Sequence, residues 1–329
     1  MKEKLQGFPR RTSLRQLRAF GAYVKAGSVS AAAEALGLTP PAVSQQLKLL
    51  EEALGGVPLT VRERDGVRPT EAGEEVLLAL GRIEAALAEC ADAVAAIAGV
   101  DRGTVAVGVV STAKYWAPFA LAAFQRHHPR VELKVRVGNR TQIIKALAAF
   151  ELDLAIMGYP PDDQPLERAS IGAHPHVIVA PPDHPLVGRP SLPVAVLAHE
   201  RFLLREPGSG THAILRRLLE SAGIAVAGDA ILLPGATEIG SNESIKQAVM
   251  AGMGIALLSA HTVASEVQDG RLAVLDVEGM PIVRTWYVVR RSDRRALPAA
   301  QALWQHIVRE GPAFLPRLPE PLGAIRSAP

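Results

Sequence analysis

The chain has 329 residues, 48% hydrophobic and 21% charged, an ordinary globular composition with length enough for two or three domains. Its single cysteine, Cys90, excludes an internal disulfide framework and points to a reducing compartment. The opening Met1-Lys2-Glu3-Lys4-Leu5 has no apolar run behind its charges, and no stretch approaches the roughly 20 apolar residues of a membrane span, so a cytoplasmic protein with no membrane partner is expected. The net charge of +3 is unevenly placed, with 11 Lys+Arg against 6 Asp+Glu through Thr70 and 25 against 27 after it. That asymmetry suits a small nucleic-acid module joined to a near-neutral body.

Residues 1–12 read as an N-terminal extension. From Leu14 the apolar residues Leu17, Phe20 and Val24 recur at three- and four-residue steps, which predicts a helix. Gly27 stops it and Ser28 is a good N-cap for a second, alanine-rich helix. Gly37 ends that one, and Thr39 caps a third that opens on Pro40, where the missing N–H costs nothing. Helix, tight turn and capped helix make a helix-turn-helix. On the third helix Val43, Leu47, Leu50 and Leu54 form an inward stripe. Pro41, Ser44, Gln45 and Lys48 fall on or near the opposite side, where such a helix meets DNA. Gln45 and Ser44 suit base edges and Lys48 suits phosphate; the alternative is a plain solvated helix face.

The segment Val57 to Thr70 reads as a β-hairpin turning at Asp65-Gly66. Arg62, Arg64 and Arg68 decorate it as a basic wing able to reach phosphates or the minor groove; Arg62 and Arg64 join the DNA-contact candidates. Residues 13–70 therefore form the DNA-binding domain. Residues 71–99 form a linker helix with Val76, Leu80, Ile83, Leu87, Cys90, Val94 and Ile97 on one heptad seam, so a homodimer is expected. Cys90 in that seam reads as a small hydrophobe rather than a redox switch.

After Gly99 strands and helices alternate. Strands are predicted over Thr104–Val110, Val131–Val137 and Leu152–Met157, with helices over Trp116–His128 and Thr141–Phe150. This βαβαβ order implies a parallel sheet with helices on its faces. A second set, with strand Arg201–Arg205, helices His212–Ala222 and Asn242–Ala251, and strand Ile255–Ser259, makes a second lobe. A late strand (Arg284–Arg290) and helix (Ala299–Arg309) return to the first. The expected fold is thus an N-terminal all-α winged helix-turn-helix with a long linker helix, followed by an α/β sensor of two Rossmann-like lobes. The sensor spans 100–311, with lobe I at about 100–161 and 267–311, lobe II at about 162–266, and a loose proline-rich tail over 312–329.

Ligands of open α/β sheets sit beyond the carboxyl ends of strands, often at helix N-termini that favour anions. Ser111, Thr112 and Lys114 follow the first strand, Thr141 opens a helix, Thr211 ends the Gly208-Ser209-Gly210 loop, and Asn242-Glu243 opens another helix. These are the candidate effector contacts, and helix capping is the competing role for each. No glycine-rich dinucleotide fingerprint, P-loop or nucleophile elbow is present, and His127-His128, His174-Pro175-His176 and His184 lack further ligands at metal spacing. Neither catalytic residues nor a metal or cofactor is expected. A solute-binding protein without a DNA role, or an α/β enzyme, is the alternative.

Ser28-x-Ser30-x-Ala32-Ala33-x-x-Leu36, Thr39-Pro40-Pro41-Ala42-Val43-Ser44-Gln45-Gln46-Leu47-x-x-Leu50-Glu51, Leu59-x-x-Arg62 and Thr70-x-Ala72-Gly73 resemble the signature of LysR-type transcriptional regulators. The resemblance implies DNA contact through Pro41, Ser44, Gln45 and Arg62, and a sensor similar to type 2 periplasmic binding proteins. Thr60 stands where the family usually has an aromatic. Val110 to Tyr115, Val137 to Arg140 and Glu151 to Pro161 further resemble the CbbR-type branch, regulators of RuBisCO and Calvin-cycle genes. The expected mechanism is a homodimer, pairing again to a homotetramer, that holds promoter DNA and changes its contact with RNA polymerase when an effector moves the cleft; an activator is expected, with repression the open alternative. The CbbR-type resemblance implies effectors such as NADPH or phosphorylated metabolites.

Overall fold

The computed structural model describes residues 8–63, 66–97, 103–224, 226–228 and 230–319. The chain divides into two compact units, Met1–Val94 with Ala148–Glu151, and Ala95–Leu147 with Leu152–Pro329.

In the first unit a short helix α1 (Phe8–Arg11) precedes α2 (Leu14–Ala26), α3 (Val29–Leu36) and α4 (Pro40–Ala53). Local chemistry sets each boundary. Ser13 and Gln16 form a reciprocal capping box, with the Ser13 N–H donating to Gln16 Oε1 at 2.7 Å and the Gln16 N–H to Ser13 Oγ at 3.3 Å. Ser28 and Thr39 accept from the N–H groups of Ala31 and Ala42. Gly27 ends α2 at φ 72°, a left-handed conformation glycine reaches without strain. Ala32 and Ala33 are buried between Tyr23 and Val43, so the small side chains of α3 let its neighbours approach.

Strands β1 (Thr60–Glu63) and β2 (Gly66–Pro69) pair antiparallel, with Arg62 opposite Val67; the expected hairpin forms with Thr60 at the aromatic position, but Gly66, expected in the turn, is paired with Glu63 as the first residue of β2. Arg64 and Asp65 lie outside the described residues. Helix α5 runs Glu71–Ile97, with Thr70 accepting from the Gly73 N–H at 3.1 Å; the expected end at Ala98-Gly99 lies outside the described residues. The seam read from the sequence splits along its length. Val76 joins a core with Leu17, Phe20, Leu50 and Leu59, whereas Ile83, Leu87 and Val94 are exposed by 39%, 47% and 60%, and Cys90 is exposed too.

The second unit is built on one seven-stranded sheet. Its path runs β11 (Ala256–Ser259), β6 (Leu166–Ala180), β13 (Ile282–Arg291), β5 (Leu154–Met157), β3 (Gly103–Val110), β4 (Val131–Gly138), and β12 (Ala273–Val274) pairs with β6. The β4–β3–β5 half is parallel, as expected of a βαβαβ run with α6 (Ala117–His127) and α7 (Arg140–Ala148) as crossovers. The remainder is antiparallel. The segments joining the two lobes are thus long strands: β6 has 15 residues and β13 has 10, and they zip together from Leu166↔Arg291 to His176↔Ile282. The sequence reading found the late strand but not β6, whose burial changes from partial near Leu166 to complete at Val177–Ala180. A strand buried on one face at one end and on both at the other has no single period to read.

Lobe II adds β7 (Leu203–Leu204) paired with β10 (Thr237–Glu238), a small ladder of β8 (Val226–Ala227) and β9 (Ala230–Ile231), and helices α8 (Gly210–Ser221), α9 (Asn242–Met250) and α10 (Ala260–Gln268). The predicted strand Arg201–Arg205 is shortened to two residues, with Phe202 in an isolated bridge to Ile255. Helix α11 (Pro298–Glu310) returns to lobe I, where Leu303, Trp304 and Ile307 are buried with Val105, Trp116, Phe124 and Trp286.

The tail read as loose is docked as far as it is described. Residues Gly311–Phe314 form a 3-10 turn, Phe314 and Leu315 pack on the lobe I core, and Leu318 packs on a lobe II core. Three apolar side chains spaced among prolines are enough to hold it, against the expectation from proline content. Residues 320–329 lie outside the described residues.

Candidate functional site

In the first unit, α4 presents Pro41, Ser44, Gln45 and Lys48 to solvent, while Val43 and Leu50 on the other side are fully buried. Lys48 comes only within 3.9 Å of Glu52, and both side chains are more than half exposed, so its charge stays available to an outside anion. Arg62 and Arg68 are exposed on the two wing strands; Arg64 lies outside the described residues. A shallow groove of about 600 Å³ lies beside α4, bounded by Ser44, Lys48, Glu51 and Thr60. This is a convex polar helix face flanked by cations, the shape that enters a major groove while basic side chains reach the backbone.

In the second unit a cleft with an empty volume of about 440 Å³ opens beyond the carboxyl ends of β3 and β5. Ser111 and Thr112 enter it from the end of β3, Gly158 and Tyr159 from the end of β5, and Ser209, Gly210 and Thr211 from the start of α8. His174 and His176 of β6 close its floor. Ser209 stands at the N-cap position of α8 with no side-chain cap bond, leaving the first amides of the helix uncapped by it and favourable to negative charge. Gly208 lets the loop arrive there: it sits at φ +86°, and a Cβ would lie 2.9 Å from Thr141 Oγ1. The Thr141 N–H and hydroxyl both donate to the Gly208 carbonyl, at 3.2 and 3.3 Å.

The effector candidates divide accordingly. Ser111, Thr112 and Thr211 share the cleft, and Thr141 lines a wider groove of about 960 Å³ that shares Arg140 and Tyr159 with it. Asn242 stands behind the wall: Arg205, 3% exposed, donates to its Oδ1, and both Arg205 Nη2 and Asn242 Nδ2 reach Ser111 Oγ, at 3.3 and 3.5 Å. Glu206 accepts from Arg205 Nε at 2.8 Å and neutralises it. Glu243 accepts from the Tyr115 hydroxyl at 3.0 Å and pairs with the buried Lys246 at 3.3 Å. Burial resists its ionisation, but these two partners hold it below the usual carboxylate range. Burial first, then Glu243, pushes the Tyr115 hydroxyl far up, so it remains a donor. Lys114 lies over the Tyr115 ring at 5.2 Å rather than on the cleft wall.

Sequence reasoning did not single out Arg140, Tyr159, His174 or His176 for the cleft, and it reached Ser209 only as part of the Gly208–Thr211 loop. His174-Pro175-His176 drew attention only as metal ligands, although alternate residues of a strand share one face. The two rings are 4.2 Å apart and His174 faces His261 at 6.2 Å. Among the described residues no three His, Cys, Asp or Glu side chains are grouped to hold a metal ion. Burial drives all three down, His176 and His261 to about 4 and His174 well below its ordinary value with help from its two neighbours' charges. They are neutral near pH 7.

A winged helix-turn-helix on one unit and an inter-lobe cleft on the other define a DNA-binding protein with a built-in small-molecule sensor. Two family profiles match in that order: "Bacterial regulatory helix-turn-helix protein, lysR family" over residues 14–74, and "LysR substrate binding domain" over residues 98–312. The chain belongs to the LysR family of bacterial transcriptional regulators. It is 52% identical over 308 residues to the HTH-type transcriptional regulator CbbR of Xanthobacter flavus, covering 93% of this chain and 90% of that protein. It is 39% identical over 300 residues to the RuBisCO operon transcriptional regulator of Allochromatium vinosum, covering 91% and 96%. Among solved structures, the CcmR regulatory domain of Synechocystis PCC6803 in complex with 2-PG is 34% identical with a TM-score of 0.58, covering 63% of this chain and 96% of that one. Among the described residues no helix is long and apolar enough to cross a membrane.

Proposed function

We propose that this chain is a cytoplasmic regulator of a RuBisCO operon that reads its promoter as a homodimer, or a pair of dimers, and responds to a small anionic metabolite held between its lobes. The observation that carries the sensing role is the cleft at the carboxyl ends of β3 and β5, where Ser111, Thr112 and Thr211 meet the start of α8. The operon is supported by the printed name of the Allochromatium vinosum relative, a RuBisCO operon transcriptional regulator. An anionic ligand agrees with the 2-PG complex of the CcmR domain, and NADPH or a phosphorylated sugar or acid is the effector class.

In this reading Ser44 and Gln45 read base edges, while Pro41, Lys48, Arg62 and Arg64 fix the backbone. Ser111, Thr112, Thr141 and Thr211 bind the effector, Asn242 and Arg205 orient Ser111 from behind, and Lys114 and Glu243 act at the lobe contact around Tyr115. The exposed Ile83–Leu87–Val94 stripe of α5 is the dimer seam. The domains follow the divisions at residues 13, 71, 100 and 312. There is no catalytic step: the effector shifts the population of lobe arrangements, and contact with RNA polymerase changes with the bend of the DNA.

The test is an electrophoretic shift and footprint on a fragment carrying the promoter of a RuBisCO operon, with and without phosphorylated metabolites. Specific protection whose pattern changes with one effector is the expected result. Equal binding to unrelated duplexes, or a footprint indifferent to every such metabolite while transcription still responds, overturns the reading.

A further inference from the structure

The two long strands that join the lobes are interrupted at one place. Along β6 and β13 the register passes from Trp286↔Gly172 to Tyr287↔Ser170, which leaves Ile171 without a partner in the ladder. An extra residue in one strand breaks the pairing locally and bends the strand. The division between the lobes falls at this same place on both strands. Ala169, Ile171, Trp286 and Val288 pack in the core of lobe I, whereas Val177, Ile178 and Ile282 pack in the cores of lobe II. The bulge at Ile171-Gly172 is therefore the point about which one lobe can turn against the other.

The tail crosses this point. Gly311 is buried, and a Cβ on it would meet Ile171 Cγ2 at 3.2 Å. A Cβ at Gly172 would meet Leu315 Cδ1 at 2.7 Å, so Leu315 fills the space that a side chain at the bulge would take. Phe314 and Leu315 rest on lobe I, with the Phe314 ring 6.5 Å from that of His306 on α11. Leu318 rests on lobe II. Three residues of chain span at most about 11 Å, so the lobes cannot carry the seats of Leu315 and Leu318 further apart than this while both are filled. Pro312 and Pro316 restrict the backbone of the segment and reduce the freedom it regains on release. A few apolar anchors are then enough to hold it. A tail that merely covered apolar surface of lobe I would need no anchor on lobe II.

We propose that residues Gly311–Leu318 are a strap across the lobe hinge. While Leu315 and Leu318 are both seated the lobes keep this arrangement, and when the strap leaves they turn about Ile171-Gly172. None of these residues lines the cleft, so the control is separate from whatever the cleft binds. Any ligand that favours a wider arrangement must first unseat the strap, and its apparent affinity falls with the fraction of chains in which the strap is off.

The experiment places one spin label on each lobe of the full chain, at Gln125→Cys on α6 and Gln268→Cys on α10, both exposed, in a Cys90→Ala background. The labelled chain is mixed with excess unlabelled chain, so that pulsed dipolar spectroscopy reads distances within one molecule. Leu315→Ser, Leu318→Ser and a chain ending at Gly311 are compared with this parent, without added ligand. Each single variant raises the population outside the parent's distance peak by about tenfold, the factor that one lost leucine contact carries, and the shortened chain raises it furthest. Trypsin cleavage after Arg317, read by mass spectrometry, quickens by the same factor in Leu318→Ser, because cleavage follows the population of the released segment. If trypsin shows the tail released while the distances stay those of the parent, or if Leu315→Ser alone changes them, the tail is a cover of lobe I and the inference falls. If neither measurement changes in Leu318→Ser, that side chain anchors nothing and the inference falls equally.

Discussion

The imidazole of His174 lies flat on the indole of Trp286, with ring centroids 3.6 Å apart and planes 15° from parallel. The Trp286 N–H donates to His261 Nδ1 at 3.0 Å, which requires that nitrogen to be unprotonated, and His174 Nε2 meets Ser259 Oγ at 3.0 Å. The cleft floor is therefore a stack of neutral rings joining the two long strands to lobe II. Among the described residues no carboxylate acts on any of these three imidazoles, so a positive charge introduced into the stack would go unneutralised.

Acid should unfold the sensor early. An unfolded histidine takes up a proton below about pH 6.5, whereas folded His176 and His261 do so only near 4, and burial holds His174 well below its ordinary value too. The stability conferred by keeping them neutral is complete above pH 6.5 and is lost as the pH falls from there towards 4. Each histidine contributes about 1.4 kcal/mol per pH unit in that window. Urea unfolding followed by tryptophan fluorescence reads this unit alone, since all three tryptophans (Trp116, Trp286 and Trp304) lie in it. His261→Gln, which keeps an acceptor for the Trp286 N–H, should reduce the slope by about one proton.

Leu87→Glu tests the seam. Leu87 is 47% exposed on α5, so the change should alter the stability of the isolated chain by under about 0.5 kcal/mol. In a dimer it would place a carboxylate in an apolar contact, raising the dissociation constant by about tenfold or more. Sedimentation velocity across a concentration series measures it, and an unchanged dimer would move the interface elsewhere.

Gly73→Ala should damage the DNA-binding unit without touching its surface. A Cβ there would come within 2.1 Å of the Leu59 carbonyl oxygen, forcing α5 away from the segment that leads into the wing. The expected cost is about 1–3 kcal/mol, seen as a lower melting temperature of this unit and weaker binding to all DNA.

On DNA, Arg62→Ala and Gln45→Ala should separate. Both side chains are exposed, so neither change should disturb folding. Arg62→Ala weakens all duplexes alike and flattens the salt dependence by about one ion, whereas Gln45→Ala costs about 1–3 kcal/mol at particular base pairs and leaves the salt slope alone. Fluorescence anisotropy at several salt concentrations distinguishes them. Identical behaviour would refute the division of labour.

What the sequence by itself determined is whatever depends on neighbours within a few residues. Ser13, Ser28 and Thr39 cap their own helices, Gly27 turns its own chain, and the inward and outward faces of α4 follow from its 3.6-residue period; all are seen in the structure. Ser111, Thr112 and Thr211 were legible as cleft residues because strand ends and helix starts leave signals in place. Tertiary structure alone decided the rest. It covered Val76 and left Leu87 bare on one continuous seam, put Asn242 and Arg205 behind Ser111, and docked Phe314 and Leu315 on a core. It brought Arg140, Arg217 and Arg284 to one tyrosine. These arginines are spread widely along the chain, and none has a local partner that would mark it. Only the register of two long strands and the placement of α8 against them bring the charges together.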